Sequence, residues 1–148
     1  MIRWFIIKEL VYLIKTDGNG NEQWAQTFAG GFFSDYGNGY SVQQTNDGGY
    51  IICGETESFG NGDWDVYLIK TDGNGDSLWT KTFGGISFDN GISVQQTNDG
   101  GYILTGWTYS FGLAGDSYLV KTDSNGDTLW TKIYGGNNAE WGNSVIQT

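Results

Sequence analysis

The chain repeats one unit, and this repeat constrains the fold more than any other feature of the sequence. The stretch YLIKTDGNG begins at Tyr12 and again at Tyr67, and its variant YLVKTDSNG begins at Tyr118. A second motif, SVQQTNDGGYI, begins at Ser41 and recurs unchanged at Ser93, and a shortened form, SVIQT, follows one unit later. The unit is about fifty residues long, a period typical of architectures in which neighbouring units stack. We therefore expect a fold made of similar units rather than one irregular core.

Each unit contains four short stretches typical of β-strands, which are rich in β-branched and aromatic residues and bounded by Gly, Asn or Asp. The chain has 25 Gly, 7 Trp, 9 Tyr and 8 Phe but no Pro, so turns and half-buried side chains are abundant. Tight turns of sequence NDGG and GNGD join the first strand to the second and the third to the fourth, and the other connections are longer. The sequence predicts an all-β fold of four-stranded antiparallel meanders. In the second unit the strands are SVQQT, YIICGE, VYLIKTD and SLWTKTF.

The strand sequences also predict an order from inside to outside across each meander. The second strand is almost continuously apolar, as expected of a strand covered on both faces. The fourth strand alternates in polarity and carries Lys81 or Lys132, and a lysine protects an outer edge from pairing with another edge. With the first strand innermost, this is the layout of a β-propeller blade. The single repeat region 1–148 then divides into a partial blade in about 1–40, blades in 41–92 and 93–143, and a first strand in 144–148.

The motifs SVQQT.DGGYI, SFG, YLIKTD.NGD and LWTK follow one another in a fixed order. This unit resembles the tandem β-propeller repeats of large secreted or cell-surface proteins of bacteria and archaea, which are distantly similar to quinoprotein-type and seven-bladed propeller repeats. The resemblance covers nearly the whole chain from Tyr12 onward. It implies a propeller fold and an extracellular or cell-surface location, although the opening MIRWFIIKEL lacks the features of a signal peptide. It implies no particular activity.

About three blades are too few for an ordinary ring, since propellers typically take four to eight. Two chains would supply six blades, and we expect a homodimer of that kind. In it the first strand SVIQT would complete an N-terminal blade, with RWFII near the start as its second strand. Three alternatives stay open: a fibre formed by the same strand exchange, a monomeric β-trefoil or β-prism, and a piece of a longer propeller.

Composition disfavours several functions. The chain has no His, which removes the Ser-His-Asp and Cys-His nucleophile systems and the commonest zinc ligand. Its single Cys, Cys53, lies in the apolar run YIICG and is expected to be a small buried hydrophobe. A net charge of −10 disfavours nucleic-acid binding, and no stretch has the length and apolarity of a membrane span. We expect no cofactor, and the expected partners are a second copy of the chain and a glycan or a protein.

The long loops are where we expect a ligand, because loops at one face of a propeller meet over its axis. They combine aromatic residues with Asp and Asn, which can stack on sugar rings and hydrogen-bond their hydroxyls, so a structural or recognition module that binds a glycan or a protein is the first hypothesis. The opposing interpretation is that the aromatics only pack blade against blade, since SFG recurs at Ser58 and Ser110. The candidate ligand-binding residues are Phe33, Asp35, Tyr36, Trp64, Asp65, Phe88, Asp89, Asn90, Asp116, Glu140 and Trp141, with Phe59, Trp107, Phe111 and Asn137 beside them.

A glycoside hydrolase or lyase that uses two carboxylates on the same face is the alternative function. Asp89 and Glu140 hold equivalent positions, each four residues before the repeated serine. A carboxylate there is also expected to cap a turn, which would be a structural role. The periodic tryptophans are expected in the core; they are Trp24, Trp79 and Trp130.

The turn TDGNGD places oxygen-bearing side chains at alternate positions, like the first half of a calcium loop. Such a loop also needs Gly at its sixth position and Glu at its twelfth, and neither residue is there. Asn-Gly between two strands instead predicts a hairpin turn in which both residues take a positive φ. The weaker alternative, binding of a cation, would use Asp72, Asn74, Asp76, Asp123, Asn125 and Asp127.

Overall fold

In a computed structural model the described residues, 10–28 and 36–148, form ten β-strands and no helix. The proposed strand RWFII and the candidates Phe33 and Asp35 lie outside the described residues. Within them no helix is long and apolar enough to cross a membrane. The first six strands are β1 (Val11–Thr16), β2 (Glu22–Phe28), β3 (Gly37–Gln44), β4 (Tyr50–Thr56), β5 (Asp65–Thr71) and β6 (Ser77–Phe83). The last four are β7 (Asp89–Gln96), β8 (Tyr102–Thr108), β9 (Asp116–Thr122) and β10 (Thr128–Tyr134).

The strands form three antiparallel sheets, and the predicted meanders are confirmed. Sheet one contains β1 and β2, sheet two runs β3-β4-β5-β6, and sheet three runs β7-β8-β9-β10. The first strand of sheet three is longer than the sequence motif indicated, because β7 begins at Asp89, four residues before Ser93. The pairing of β7 with β8 shifts register between Gly91 and Ser93, where the added residues meet the motif. The prediction that Asp89 and Asn90 belong to a loop is therefore wrong, since both extend the strand.

Burial separates the two middle strands of each four-stranded sheet, which are covered, from the outer fourth strand. The second strands, β4 and β8, are buried along nearly their whole length. The fourth strand β10 is exposed throughout, and β6 is mostly exposed or half-buried. Cys53 on β4 is fully buried, and that burial raises the pKa of its thiol to about 12, which confirms a packing role.

Neighbouring sheets stack face to face, and most of the core lies between them. We call the face that a sheet turns toward the next sheet its front and the opposite face its back. Sheets one and two enclose one apolar cluster, in which Trp24 meets Tyr50 edge-on at 5.7 Å. Sheets two and three enclose a second, in which Trp79 meets Tyr102 at 5.8 Å in the same way. The front of sheet two and the back of sheet three together contribute Ile51, Cys53, Val66, Leu68, Phe83, Val94, Tyr102, Leu104, Tyr118 and Val120 to that cluster.

The tryptophans of the fourth strands also cover a glycine turn of the following sheet. Gly75 has a φ of +86°, and a Cβ atom on it would lie 2.7 Å from the ring of Trp24. Gly126 has a φ of +79°, and a Cβ atom there would lie 2.8 Å from the ring of Trp79. Glycine is needed at both positions, for the backbone conformation and for the close approach of the indole. Each boundary thus repeats the same contact.

The C-terminal segment, residues 137–148, lies along β7 as β7 lies along β3. Val145 N–H donates to Ser93 Oγ at 3.3 Å, just as Val94 N–H donates to Ser41 Oγ at 3.3 Å. The motif serines thus have a structural role, and the SVIQT copy lies where the first strand of a further sheet would lie. Gln147 likewise donates its N–H to Gln95 Oε1 at 2.6 Å, as Gln96 does to Gln43 Oε1.

A buried lysine fixes the NDGG turn at the tight-turn end of sheet two. Lys70 is 3% exposed, and its ammonium lies 2.8 Å from Asp47 Oδ2 and donates to Thr71 O at 2.8 Å. Asp47 also accepts hydrogen bonds from the Thr45 hydroxyl and from Gly49 N–H. Sheet three repeats this cluster with Lys121 and Asp99, whose Nζ and Oδ2 atoms are 2.9 Å apart.

We predict that the Asp47→Asn variant loses less stability in acid than the wild type. Hydrogen bonds from Lys70 and Thr45 lower the pKa of Asp47 from 3.8 to about 2. A lowered carboxyl pKa stabilises the fold above the unfolded value, and this contribution disappears as the pH falls from about 4 to about 2. Urea denaturation at pH 5, 3 and 2 measures how the free energy of unfolding changes with pH. An equal change for the variant and the wild type would contradict the link between the Asp47 pKa and stability.

We predict that Leu68→Ala lowers the free energy of unfolding by about 2–5 kcal/mol, since it leaves a cavity between two sheets. Leu68 is completely buried between sheets two and three. The control is Leu78→Ala on β6, because Leu78 is 58% exposed and its loss should change stability by at most about 0.5 kcal/mol. Similar losses for the two variants, measured by urea denaturation, would show that the sheet boundary is not the core.

Candidate functional site

The long loops gather at one end of the stacked sheets, as predicted, and we call this the loop-rich end. It comprises residues 57–64, 84–88, 109–115 and 135–143. Tyr109, which the sequence argument did not select, is 52% exposed there, and Trp141 is 61% exposed. Other aromatic side chains that expose more than a third of their surface at this end are Phe59, Phe88 and Phe111.

Two of these aromatics, Phe88 and Tyr109, lie together with Trp107 of β8 in sheet three. Tyr109 N–H donates to Phe88 O at 2.8 Å, which places the two residues side by side on neighbouring chain segments. The rings of Trp107 and Tyr109 meet edge-on with centroids 5.4 Å apart. We call Phe88, Trp107 and Tyr109 the aromatic patch. Gly115 lies under it, since a Cβ atom there would be 2.7 Å from the Tyr109 ring.

The remaining aromatic candidates contact their own sheet or the chain around them. Phe59 stacks on Tyr67 at 5.7 Å, and Phe111 packs on Tyr118 at 5.8 Å. Trp64 is half-buried, and its carbonyl accepts a hydrogen bond from Asp89 N–H at 2.7 Å. These contacts support the packing interpretation for the SFG aromatics.

Each SFG serine, in the loop after the second strand of its sheet, bonds the segment that leads into the first strand of the same sheet. Ser110 Oγ accepts a hydrogen bond from Ser87 N–H at 3.0 Å and lies 2.6 Å from Asp89 Oδ2, to which it can donate. Ser58 Oγ accepts one from Tyr36 N–H at 3.1 Å. The half-buried candidate Tyr36 thus takes part in loop structure through its backbone.

Asp65 and Asp116 are buried strand residues and not exposed loop ligands, which corrects their expected placement. Asp65 Oδ2 accepts a hydrogen bond from Asn61 N–H at 2.9 Å, and Asp116 Oδ2 accepts one from Leu113 N–H at 2.9 Å. Each carboxylate therefore closes the loop that precedes its strand. Burial raises the pKa of Asp65 above its ordinary 3.8, and the nearby carboxyl of Asp89 adds to the shift.

Asp89 and Glu140 cap turns, which confirms the structural role expected of them. Asp89 Oδ2 accepts a hydrogen bond from Gly85 N–H at 2.8 Å. Glu140 Oε2 accepts the equivalent bond from Gly136 N–H at 3.1 Å. The two acids differ in exposure, because Asp89 is completely buried whereas Glu140 is exposed.

The acids meet in pairs across a glycine, an arrangement that the sequence argument missed. A Cβ atom on Gly84 would collide with both Asp65 Oδ1 and Asp89 Oδ2, so the two carboxylates approach each other where a side chain is absent. The next sheet repeats the pair: a Cβ atom on Gly135 would collide with Asp116 Oδ1 and Glu140 Oε2. The repeated Gly-Gly after the fourth strand is the sequence signal that could have found these pairs.

Glu55 is a second feature that the sequence did not single out. It lies on β4, where Oε1 accepts hydrogen bonds from Tyr40 OH at 2.7 Å and from Asn38 Nδ2 at 2.9 Å. Asn90, 4% exposed, donates its side-chain amide to Glu55 Oε2 from sheet three. Burial raises the pKa of Tyr40 to about 12, and its hydrogen bond to Glu55 acts in the same direction. Asn90 therefore joins two sheets, and its predicted role as an exposed ligand is not supported by its position.

The TDGNGD stretches form hairpin turns held by their first aspartate. Asp72 Oδ1 accepts hydrogen bonds from Asn74 N–H at 2.8 Å and from Asp76 N–H at 3.0 Å. These bonds lower the pKa of Asp72, the bond from Asn74 contributing most. Asp123 makes the same two bonds, to Asn125 and Asp127 N–H at 2.9 Å each.

The structure bears on two predictions for these turns, the positive φ of Asn and the binding of a cation. Among the described residues only glycines take a positive φ, so the prediction that Asn shares it is wrong; Gly75 N–H instead bonds Asp72 O at 3.2 Å. Asp127 also pairs with Lys81 of the preceding sheet at 2.7 Å, so one of the proposed cation ligands already has a partner. Within residues 10–28 and 36–148 no group of three or more His, Cys, Asp or Glu side chains could hold a metal.

Comparison with known proteins assigns no family. No family model matches the chain, and no curated protein matches it. The resemblance to tandem propeller repeats therefore stays a prediction from the motifs.

We predict that Asp89→Ala lowers the free energy of unfolding by about 1–3 kcal/mol, because it leaves Gly85 N–H and the Ser110 hydroxyl without their acceptor inside the protein. Glu140→Ala is the matched control, since the equivalent cap is exposed and water can replace it. Urea denaturation compares the two. A larger loss for Glu140→Ala would contradict the dependence on burial.

Proposed function

We propose that the chain is a non-catalytic recognition module built of β-propeller blades, which binds a glycan at its loop-rich end. The four-stranded meanders of sheets two and three, their covered second strands and their exposed fourth strands support the propeller arrangement. The motif resemblance supports an extracellular or cell-surface setting. The proposal is that this stack serves as a rigid frame for its loops.

The aromatic patch carries the recognition proposal. Phe88 and Tyr109 expose 44% and 52% of their surface, although the sheets beneath them are closely packed. Aromatic faces of this kind stack on the apolar faces of sugar rings, and nearby polar groups can then bond the hydroxyls. Trp107 lies beside these two aromatics on the front of sheet three, since Tyr102 and Leu104 on the same strand point to the back.

The buried acids favour recognition over hydrolysis. Hydrolysis of a glycoside needs one carboxylic acid and one carboxylate that both reach the scissile bond. Asp65 and Asp89 are 1% and 0% exposed and hold loop N–H groups, so a sugar could reach them only after the turns opened. The carboxylates thus support the loops on which the aromatic patch stands.

The test is binding to an array of neutral and acidic oligosaccharides, followed by calorimetry with the strongest ligand. We expect Phe88→Ala and Tyr109→Ala to weaken binding about two- to tenfold each, the range that corresponds to one aromatic contact. Leu78→Ala is the control, because it removes an exposed apolar side chain from the rim strand β6. No binding to any oligosaccharide, or capture of a protein that both patch variants abolish, would replace the glycan proposal by one of protein recognition.

A further inference from the structure

The stack of three sheets exposes an apolar surface at each outer face. The front surface is the front of sheet three, where the C-terminal segment and the strands border a groove of about 320 Å³. The back surface is the back of sheet one, where Tyr12 is 56% exposed and Ile14 is 47% exposed. The front surface consists of Ile103, Leu119, Trp130 and Tyr134, with Val145 beside them.

Residues of both surfaces have buried counterparts one repeat away. On the back surface, Tyr12 and Ile14 correspond to Tyr67 and Ile69, which are only 4% and 0% exposed because sheet one covers them. On the front surface, Leu119 corresponds to Leu68, which is completely buried against sheet three. Tyr134 and Trp130 likewise correspond to Phe83 and Trp79, which lie in that same boundary. Each surface is therefore one half of an interface that the molecule already forms twice.

The tryptophan–glycine contacts leave one unmatched partner on each surface. At the two internal boundaries Trp24 covers Gly75 and Trp79 covers Gly126. Trp130, the third tryptophan of the series, is 41% exposed and so departs from its expected place in the core. Gly20, the third glycine, has the same conformation with a φ of +84°, and a Cβ atom there would meet nothing within 4 Å.

Polar side chains of the fourth strands also have matching partners in the turn of the next sheet. Lys81 bonds Asp127 across the boundary of sheets two and three at 2.7 Å, and Gln26 bonds Asp76 across the first boundary at 3.3 Å. The next donor in this series is Lys132, on the front of sheet three, and its counterpart on sheet one is Asn21. An ammonium group facing an amide oxygen can form the same hydrogen bond.

We propose that the front surface of one copy of this chain binds the back surface of a second copy. In this contact Trp130 covers Gly20 of the other copy, and Lys132 bonds the other copy's Asn21. Each copy carries one surface of each kind, so two such contacts related by a twofold axis close a ring of two chains. The inference rests on the proposed propeller arrangement of the sheets and is independent of glycan binding.

The C-terminal segment gives the contact a second component. Residues 137–148 already lie where the innermost strand of a following blade belongs. Glu140 N–H donates a hydrogen bond to Gly115 O at 3.0 Å, and Gly142 N–H donates one to Gly106 O at 3.1 Å. Sheet one of the second copy would contribute the outer strands of that same blade. Trp141 is the counterpart of Asn90, which is 4% exposed, so the contact should also bury this candidate. Tyr109 of the aromatic patch should remain accessible, because its counterpart one repeat earlier, Glu57, is exposed beside sheet three.

Sedimentation velocity of the 148-residue chain over a range of concentrations tests the proposal. We expect a species of about 33 kDa, twice the chain mass of 16.3 kDa. Trp130→Glu and Ile14→Glu should each give folded monomers, because each places a charge on one of the two surfaces. The control Leu113→Glu should remain dimeric, since Leu113 is 79% exposed in the loop between β8 and β9.

A pair of milder variants keeps the test decisive if the Glu substitutions fail to fold. Asn21→Asp should strengthen the dimer, because Asp already occupies the equivalent turn position at Asp76 and Asp127 and would face Lys132. Asn21→Lys should raise the dimer dissociation constant about tenfold through repulsion of that lysine. Circular dichroism confirms that both variants keep their strands.

Three outcomes would overturn the inference. They are a folded wild-type monomer at all concentrations, a dimer insensitive to Trp130→Glu and to both Asn21 variants, and a ladder of larger species, which would show an open chain in place of a twofold ring. Failure of the wild-type dimer to bind any oligosaccharide would contradict only the recognition proposal.

Discussion

Sheet two is apolar on both faces, and a neighbouring sheet covers each of them. In sheet two, Leu68 and Val66 point to the front and Ile69 and Tyr67 to the back, and all four are almost completely buried. A sheet of this kind cannot stand with one face in water as many antiparallel sheets do. The repeat is the consequence: a unit whose front fits the back of the next copy can extend the stack without a new core design.

The boundary between sheets is specified by a few position-specific contacts rather than by apolarity alone. An indole that covers a left-handed glycine fixes the offset of one sheet relative to the next, because a side chain on Gly75 or Gly126 would collide with the ring. The serine-to-backbone bond between the first strands of neighbouring sheets fixes the same offset at the opposite edge of the boundary. With both ends of the boundary set, the intervening aliphatic residues need only fill volume.

The sequence predicted most of this architecture because its periodicities are local. Strand alternation, the Asn-Gly turns and the repeat itself can each be read within about ten residues, and they located all four strands of a unit. The candidate site was harder, because exposure depends on neighbours distant in sequence. Asp89 looked like a loop residue beside Phe88, yet a glycine five residues earlier gives it room to pack against Asp65. Asn90 is buried for a similar reason, since its partner Glu55 belongs to another sheet.

The two ends of the stack anchor their loops in different ways. At the tight-turn end, Lys70 and Lys121 each hold their own NDGG turn through a single carboxylate, and the two clusters are nearly identical. At the loop-rich end, Asp65 and Asp116 each bind a loop N–H with one oxygen, so loop length and composition can vary while the anchor stays the same. The loop after β4 reads SFGNGDW and the loop after β8 reads SFGLAG, yet both return to an aspartate in the same position. An anchor that uses only backbone N–H groups places no demand on the side chains between, and this freedom is what a surface that recognises a ligand requires.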